Sequence, residues 1–336
     1  MPELRDLSLD VVVSTRVRFA RNLVDYPFGE KLEGALREEL LGRITAAAPD
    51  LAAEELAGMD KAARLTLAEK HRVSPEFALA EGRRLLLTDE EGHLAVMTPE
   101  EDHLRIQAIF AGFAPDDAYE TAKRAERRFA AALPFAFDGR LGYLTHCPTN
   151  LGTAMRVSAM VFLPGLRQTR GIEKLLPALG RLGFTIRGMY GEGSKPAASL
   201  YQISNQVTMG VTEGETLEKF KALLGQVIDL ERQARDRLFA ADPVGIADRA
   251  LRAYGVLRYA KKMSSAEFSK HYETLRLCAG RLPEELPADP GFWDGLFEAI
   301  QPAALTVAGA GNESERDLSR AALLRETLRK GETNGK

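Results

Sequence analysis

The sequence predicts an α+β protein: strands and helices mixed up to about residue 240, then a smaller part built from helices alone. Two patterns lead there. Short stretches rich in β-branched residues, or alternating apolar with polar ones, recur between residues 11 and 209, and stretches with apolar residues three and four apart separate them. From about Pro243 the helical spacing continues and no strand signal remains. The expected division is therefore 1–240 and 241–336.

Taken in order, residues 11–18 read as the first strand, with Arg16 and Arg18 on one face because successive side chains alternate. Residues 31–48 and 51–70 read as helices. Residues 85–87, 94–97 and 104–109 read as short strands, with Glu91-Gly92 placed to turn a hairpin. A helix over 115–133 and a strand over 141–145 follow, while 155–163 fits either type. Residues 172–182 are expected as helix, 184–187 and 200–209 as strands, and 213–236 as a long amphipathic helix. The last part offers helices over 244–263, 266–278, 290–300 and 313–330, with Asp242-Pro243 as a cap and first position. The tail after 330 is expected to fray.

Composition narrows the function classes. Of 336 residues, 45% are hydrophobic and 28% charged, the profile of a soluble globular protein, and the net charge of −3 gives no case for nucleic-acid or membrane-surface binding. No apolar run approaches the ~20 residues that span a bilayer, and the N-terminus lacks a signal-peptide pattern, so a cytoplasmic protein is expected. Cys147 and Cys278 could form one disulfide at most, and reduced thiols are the simpler reading. The histidines (71, 93, 103, 146, 271) show no zinc-ligand spacing, so no metal site is expected.

The chemistry-bearing signal is arginine in short polar or glycine-bearing segments: STRVR (14–18), EEDHLR (100–105), CPTNLGTAMR (147–156) and RGMYGE (187–192). Phosphoryl transfer needs such groups, because a triphosphate carries several negative charges and catalysis is mostly positioning and electrostatic stabilisation. The planar guanidinium gives paired hydrogen bonds to phosphate and keeps its proton. There is no GxxxxGK[ST] loop and no GxGxxG after a strand, so arginine side chains would hold the phosphates. Glu100, Glu101, Asp102 and Glu192 share those segments, and carboxylates can orient a guanidinium and accept its proton. Cys147 follows a strand and precedes Pro148-Thr149-Asn150, a setting that favours a thiolate; Cys278 fits a buried, inert thiol better.

These segments resemble those of the phosphagen (ATP:guanidino) kinase family. The matching stretches are STRVRFARN (14–22), EEDHLRIQ (100–107), CPTNLGTAMR (147–156), RGMYGEGS (187–194) and YQISNQVTMG (201–210), in family order. The resemblance implies an antiparallel sheet flanked by helices. It implies a catalytic set of Glu101, Glu192, Cys147 and Arg105. It implies ATP contacts at Ser14, Thr15, Arg16, Val17 and Arg18, at His71 beside the adenine, and at Arg105. Further ATP contacts follow at Arg156, Val157, Ser158, Ala159 and Met160, and at Arg187, Gly188, Met189, Tyr190, Gly191 and Glu192. Magnesium would be held by nucleotide and water. Pro99 stands where the family usually has Asn, and His146 precedes Cys147 where another residue is usual.

Within the family the chain is more similar to the bacterial protein arginine kinases. Only 13 residues precede Ser14, where metabolite kinases carry a helical domain, so a site open to side chains of protein substrates is expected. Arg316-Asp317-Leu318-Ser319-Arg320-Ala321 matches a phosphoarginine-receptor motif of that branch, with Arg316 and Arg320 a helical turn apart and suited to grip a phosphate. The resemblance further implies a homodimer, a small zinc-binding activator protein, a heat-shock repressor and Clp protease machinery as partners. The implied function is ATP-dependent phosphorylation of protein arginine, in stress response and regulated degradation. Competing readings are a kinase of a free guanidino metabolite and a silent phosphoarginine-binding module.

Overall fold

The computed structural model describes residues 8–188, 198–282 and 284–333. Strand β1 (Val12–Arg21) leads into helix α1 (Gly34–Ala47), strand β2 (Ala52–Glu55) and helices α2 (Lys61–Glu69) and α3 (Pro75–Leu79). Strands β3 (Leu85–Thr88), β4 (Leu94–Thr98) and β5 (Leu104–Ala111) precede α4 (Pro115–Ala132) and a small ribbon, β6 (Phe137–Asp138) with β7 (Gly142–Tyr143). Next come β8 (Met155–Phe162), α5 (Pro164–Gln168), α6 (Gly171–Arg181), β9 (Phe184–Gly188), β10 (Leu200–Asn205) and α7 (Glu213–Ala241). Only helices follow among the described residues: α8 (Pro243–Tyr259), α9 (Ser265–Cys278), α10 (Pro290–Ala299), α11 (Pro302–Val307) and α12 (Glu313–Thr333).

Eight strands form one antiparallel sheet in the order β2-β3-β4-β5-β1-β8-β10-β9. β1 therefore runs through the middle, between β5 and β8. Its alternation divides the molecule. Val17 and Phe19 point to the face where Ile106, Ala108, Val157, Ala159 and Ile203 meet Phe129 of α4 and Phe220 of α7 in the main core. Burying such side chains contributes about 1.5–3 kcal/mol each, which pins the register, since a slip of one residue would turn the whole set to the other face.

The opposite face is apolar only at its margins. On the β3–β4 side, Leu86, Ala95 and Met97 pack with Val73, Phe77 and Ala78 from α3 and the turn before it. At the far end of β8 and β10, Phe162 and Leu200 enter a second core with Leu257, Phe268, Tyr272, Trp293 and Leu324 of the C-terminal helices. Between these caps the face is polar, and it carries Arg16, Arg18 and Arg156.

Helix starts follow their sequence signals. Thr212 and Glu215 form a reciprocal capping box at α7. Asp242 caps Gly245 with Pro243 at the first position of α8, as its sequence predicts. The expected helix over 51–70 is corrected: residues 52–55 form an exposed edge strand on β3, Leu56–Gly58 make a single 3-10 turn, and α-helix begins at Lys61. Pairing with an available sheet edge overrides the helix preference of Ala and Glu. The strand expected over 141–145 shrinks to Gly142–Tyr143, and that over 200–209 ends at Asn205, whose amide donates to the Met155 and Val207 carbonyls. The ambiguous 155–163 stretch is strand, and α11 is an element the spacing did not reveal.

One buried arginine ties the C-terminal helices to the start of β1. The Arg276 side chain is fully buried; it binds Asp294 of α10 through Nε at 2.5 Å and Nη2 at 2.8 Å, and donates to the carbonyls of Leu9 and Asp10. Arg276→Ala would leave two carbonyls without their donor and Asp294 with the Tyr272 hydroxyl but without its counter-charge. It should destabilise the protein by about 3 kcal/mol, measured as a lower urea midpoint, whereas an unchanged midpoint would mean these groups are satisfied without Arg276.

Candidate active site

The cross-strand register brings the predicted arginines together from distant sequence. Arg18 lies opposite Arg156 on β8 and Gln107 on β5, Arg16 opposite Ser158, and Arg105 opposite Ala20. Arg16 Nε contacts Ser158 Oγ at 3.4 Å, and Arg156 Nη2 donates to Ser204 Oγ at 2.8 Å. Arg187 on β9 stands opposite Gln202, in the same polar region.

The arginines are too close for comfort without an anion. Removal from bulk water, then repulsion from Arg156 and Arg105, lowers the Arg16 guanidinium to about 10. Arg18 is lowered well below the ordinary value by the same desolvation and by Arg105, Arg16 and Arg156, with Glu100 opposing. A basin in which charged groups disfavour one another is a basin built for negative charge.

Carboxylates lie at one end of it. Arg105 Nη1 binds Glu100 at 2.6 Å and Nη2 binds Glu101 at 2.9 Å. Glu100 is fixed by Ser74 Oγ at 2.9 Å, whereas Glu101 is more open, with its side chain 35% exposed. The Glu101 carboxylate thus pairs with a guanidinium of the protein itself. Arg105 Nε is buried with no hydrogen-bond partner among the described residues. The Thr98–Pro99 peptide that enters this loop is cis.

Beyond the carboxylates lies Cys147, partly buried, with Sγ 3.0 Å from Thr149 Oγ1 at the start of a short 3-10 turn. The Cys147 loop is tied to the carboxylate loop by Asp102, which accepts from the His146 amide at 2.8 Å and from Asn22 Nδ2 at 2.6 Å. Cys278 is fully buried, and burial lifts its thiol to about 11. At the other side, His71 sits near Arg16 in a left-handed turn with φ 56°; desolvation first, then Arg16, lowers its imidazole to about 4. Gln107 Nε2 holds the carbonyls of His71 and Arg72 at 3.2 and 2.8 Å.

Not every expected residue turns its side chain to the basin. Thr15, Val17, Val157 and Ala159 point away from the basin: three lie in the main core, and Thr15 Oγ1 donates to the Gly112 carbonyl. Period-two alternation admits only Ser14, Arg16 and Arg18, and Arg156, Ser158 and Met160, from those runs to the basin side. Of these, Met160 packs at the margin against the helical core. Gly188 ends β9, while Met189, Tyr190, Gly191 and Glu192 lie outside the described residues.

Arg316 and Arg320, expected to grip a phosphate together, differ in their surroundings. Arg320 is buried, donating to the Ile300 and Met263 carbonyls and to Asp317, all at 2.8–3.2 Å. Its donors are needed to satisfy buried carbonyls, so of the two arginines Arg316 alone is partly exposed, and Ala321 is fully buried. Sequence reasoning gave no role to Asn22, Gln107 and Ser204, although all three lie within the matched stretches, and it missed Ser74, which has no local signal.

Comparisons with known proteins bear on this geometry. The family profile "ATP:guanido phosphotransferase, C-terminal catalytic domain" matches residues 33–234, and "Protein-arginine kinase McsB C-terminal domain" matches residues 243–336. The protein-arginine kinase of Exiguobacterium sp. (strain ATCC BAA-1283 / AT1b) is 40% identical over 329 residues, covering 96% of this chain and 94% of its own. That of Halothermothrix orenii is 38% identical over 330 residues, covering 95% and 93%. Among solved structures, the duplicated taurocyamine kinase of Schistosoma mansoni with bound transition state analog components aligns with a TM-score of 0.63 at 24% identity, over 79% of this chain and 40% of that one. Lombricine kinase aligns with a TM-score of 0.58 at 24% identity, over 67% of each chain. At that identity the two structures speak for the fold.

Two outcomes test the basin. Arg18→Met should leave the ligand-free protein as stable or up to ~1 kcal/mol more stable in urea, because it removes a crowded charge, and should weaken the stabilisation that ATP confers. A clear loss of ligand-free stability would make Arg18 a structural residue instead. A thiol-alkylating reagent should label Cys147 in the native protein and reach Cys278 only in denaturant; the reverse order would remove Cys147 from the site.

Proposed function

The chain belongs to the ATP:guanido phosphotransferase family, and from that premise we propose that it transfers the γ-phosphoryl group of ATP to arginine side chains in proteins. The observation that carries the reading is the order of groups along β1. His71 lies near Arg16; Arg18 and Arg156 come next, then Arg105 with Glu100 and Glu101, then Cys147. Adenosine, triphosphate and guanidinium follow one another in the same order in a nucleotide poised for transfer.

In this reading Arg16, Arg18, Arg156 and Arg187 hold phosphate oxygens and spread the charge that develops during transfer. Arg105 reaches the γ-phosphoryl from the carboxylate end. Glu101 orients the acceptor guanidinium and, with Glu192 assigned by its motif, takes the proton lost as the P–N bond forms and the bond to ADP breaks. Cys147 polarises the guanidinium from its far side. ATP supplies the phosphoryl group, with magnesium bound to its oxygens and to water.

Protein arginine as acceptor is supported by the relatives' name and by the second profile over 243–336. The same support extends to the division into a catalytic part, 1–240, and a helical part, 241–336. A phosphoarginine receptor would act through the partly exposed Arg316, with Asp317 and Arg320 paired in the helix beneath it. No helix among the described residues is long and apolar enough to cross a membrane, and two free thiols suit a cytoplasmic setting. A homodimer, an activator protein, a heat-shock repressor and Clp machinery complete the proposal, with a role in stress response and degradation.

The test is incubation with labelled ATP and either an unfolded arginine-containing protein or free arginine. Acid-labile phosphate should appear on the protein. Glu101→Gln should lower kcat by roughly 10³-fold while ATP still stabilises the protein in thermal melts, separating proton acceptance from nucleotide binding. Label on free arginine alone would overturn the acceptor, and near-normal turnover in Glu101→Gln would overturn the carboxylate's role.

A further inference from the structure

Helix α11 begins without a side-chain cap of its own: Gln301 occupies the cap position and offers none, and Pro302 has no amide hydrogen. Its next two amides are nonetheless satisfied, from far away in sequence. Ala303 N–H donates to Glu69 Oε1 at 2.8 Å and Ala304 N–H to Glu69 Oε2 at 3.1 Å. Both oxygens of one carboxylate are thus spent on the C-terminal helices. The neighbouring residue acts in the same direction at longer range: burial raises the Glu298 carboxyl on α10, and the charge of Lys70 opposes that rise.

Glu69 is the last residue of α2, and the turn it leads into is the one carrying His71. That turn is gripped from its other side, where Gln107 holds the carbonyls of His71 and Arg72. Gln107 stands opposite Arg18 in the sheet. On the helical side, Arg320 Nε donates to the Ile300 carbonyl, two residues before Pro302. A short chain of polar contacts therefore runs from α12 through the start of α11 and Glu69 to the rim of the arginine basin.

We propose that Glu69 is a positioning residue for the nucleotide: it docks the His71 turn onto α11, so that the packing of the C-terminal helices sets how well the adenosine end of the basin is formed. The proposal rests on the reading that ATP lies along β1 with its base at His71. Glu69 touches no reacting atom in that reading. Its influence is on nucleotide affinity, through the turn that follows it. By linkage, nucleotide binding must tighten the dock by the same factor that the dock tightens nucleotide binding.

Two measurements on the full-length chain test this. Glu69→Ala should raise KM for ATP about tenfold, the scale of losing a charge-assisted contact, with kcat within about twofold of wild type. Glu69→Gln, which keeps one acceptor oxygen, should recover most of the affinity. In amide hydrogen exchange, ATP should slow Ala303 and Ala304 several-fold in the wild type and leave them unaffected in Glu69→Ala. An unchanged KM in a Glu69→Ala protein whose 303–304 amides exchange faster would overturn the dock alone. Exchange at 303–304 indifferent to ATP, in a wild type that binds ATP, would do the same. Wild type that binds no ATP would overturn the nucleotide reading together with the dock.

Discussion

Guanidinium groups keep their charge, and this sheet places several of them on one face. Arg16 and Arg18 are both pulled below the ordinary arginine range by loss of water and by one another's neighbours, Arg105 and Arg156. A protein cannot hold such a cluster through the cluster's own contacts. The rest of the structure has to impose it: the main core fixes β1 through Val17 and Phe19, antiparallel pairing fixes β5 and β8 on either side, and Ser158 and Ser204 orient what they can. A bound anion would relieve this mutual repulsion, which is the physical ground for the proposed phosphate site.

The opposed requirements of the two faces explain the rest of the architecture. One face is closed by α4 and α7 and provides stability. The other must stay open in the middle and is sealed only at its margins, by α3 with its preceding turn on one side and by the C-terminal helices on the other. Those two seals touch each other where Glu69 meets α11. The buried pair of Arg276 with Asp294 ties the C-terminal helices to the start of β1, and Arg235, paired with Glu231 within α7, ties that helix to β8 through the Phe162 carbonyl, neither occupying the basin. The helical part is thus wired to the sheet at several points, and its influence on the site needs no contact with the reacting atoms.

Within the site, the division of labour between adjacent residues is set by small differences in surroundings. Glu100 and Glu101 are neighbours in sequence and share Arg105, yet Ser74 fixes the first while the second stays accessible. Cys147 and Cys278 are both free, but Cys147 is partly exposed, whereas burial pushes the Cys278 thiol up to about 11, out of useful thiolate chemistry. The same holds for Arg316 and Arg320, where the second is consumed by two carbonyls and a carboxylate.

Much of this was legible in residue order. Alternation in VVSTRVRFAR determines that Arg16 and Arg18 share a face, the turn at Glu91-Gly92 determines a hairpin, and Asp242-Pro243 marks a helix start, because each depends on a few neighbouring residues. The arginine, carboxylate and thiol segments announce guanidine phosphoryl transfer for the same reason: the chemistry needs those residue types wherever they fold. Tertiary structure alone decided what depends on partners distant in sequence. Residues 52–55 became a strand because β3 offered an open edge; Arg320 went inside because two carbonyls there needed donors; and Glu69 became a cap because α11 had none. Local sequence records a residue's own preferences, and those three outcomes were settled by unsatisfied hydrogen-bonding groups elsewhere in the chain.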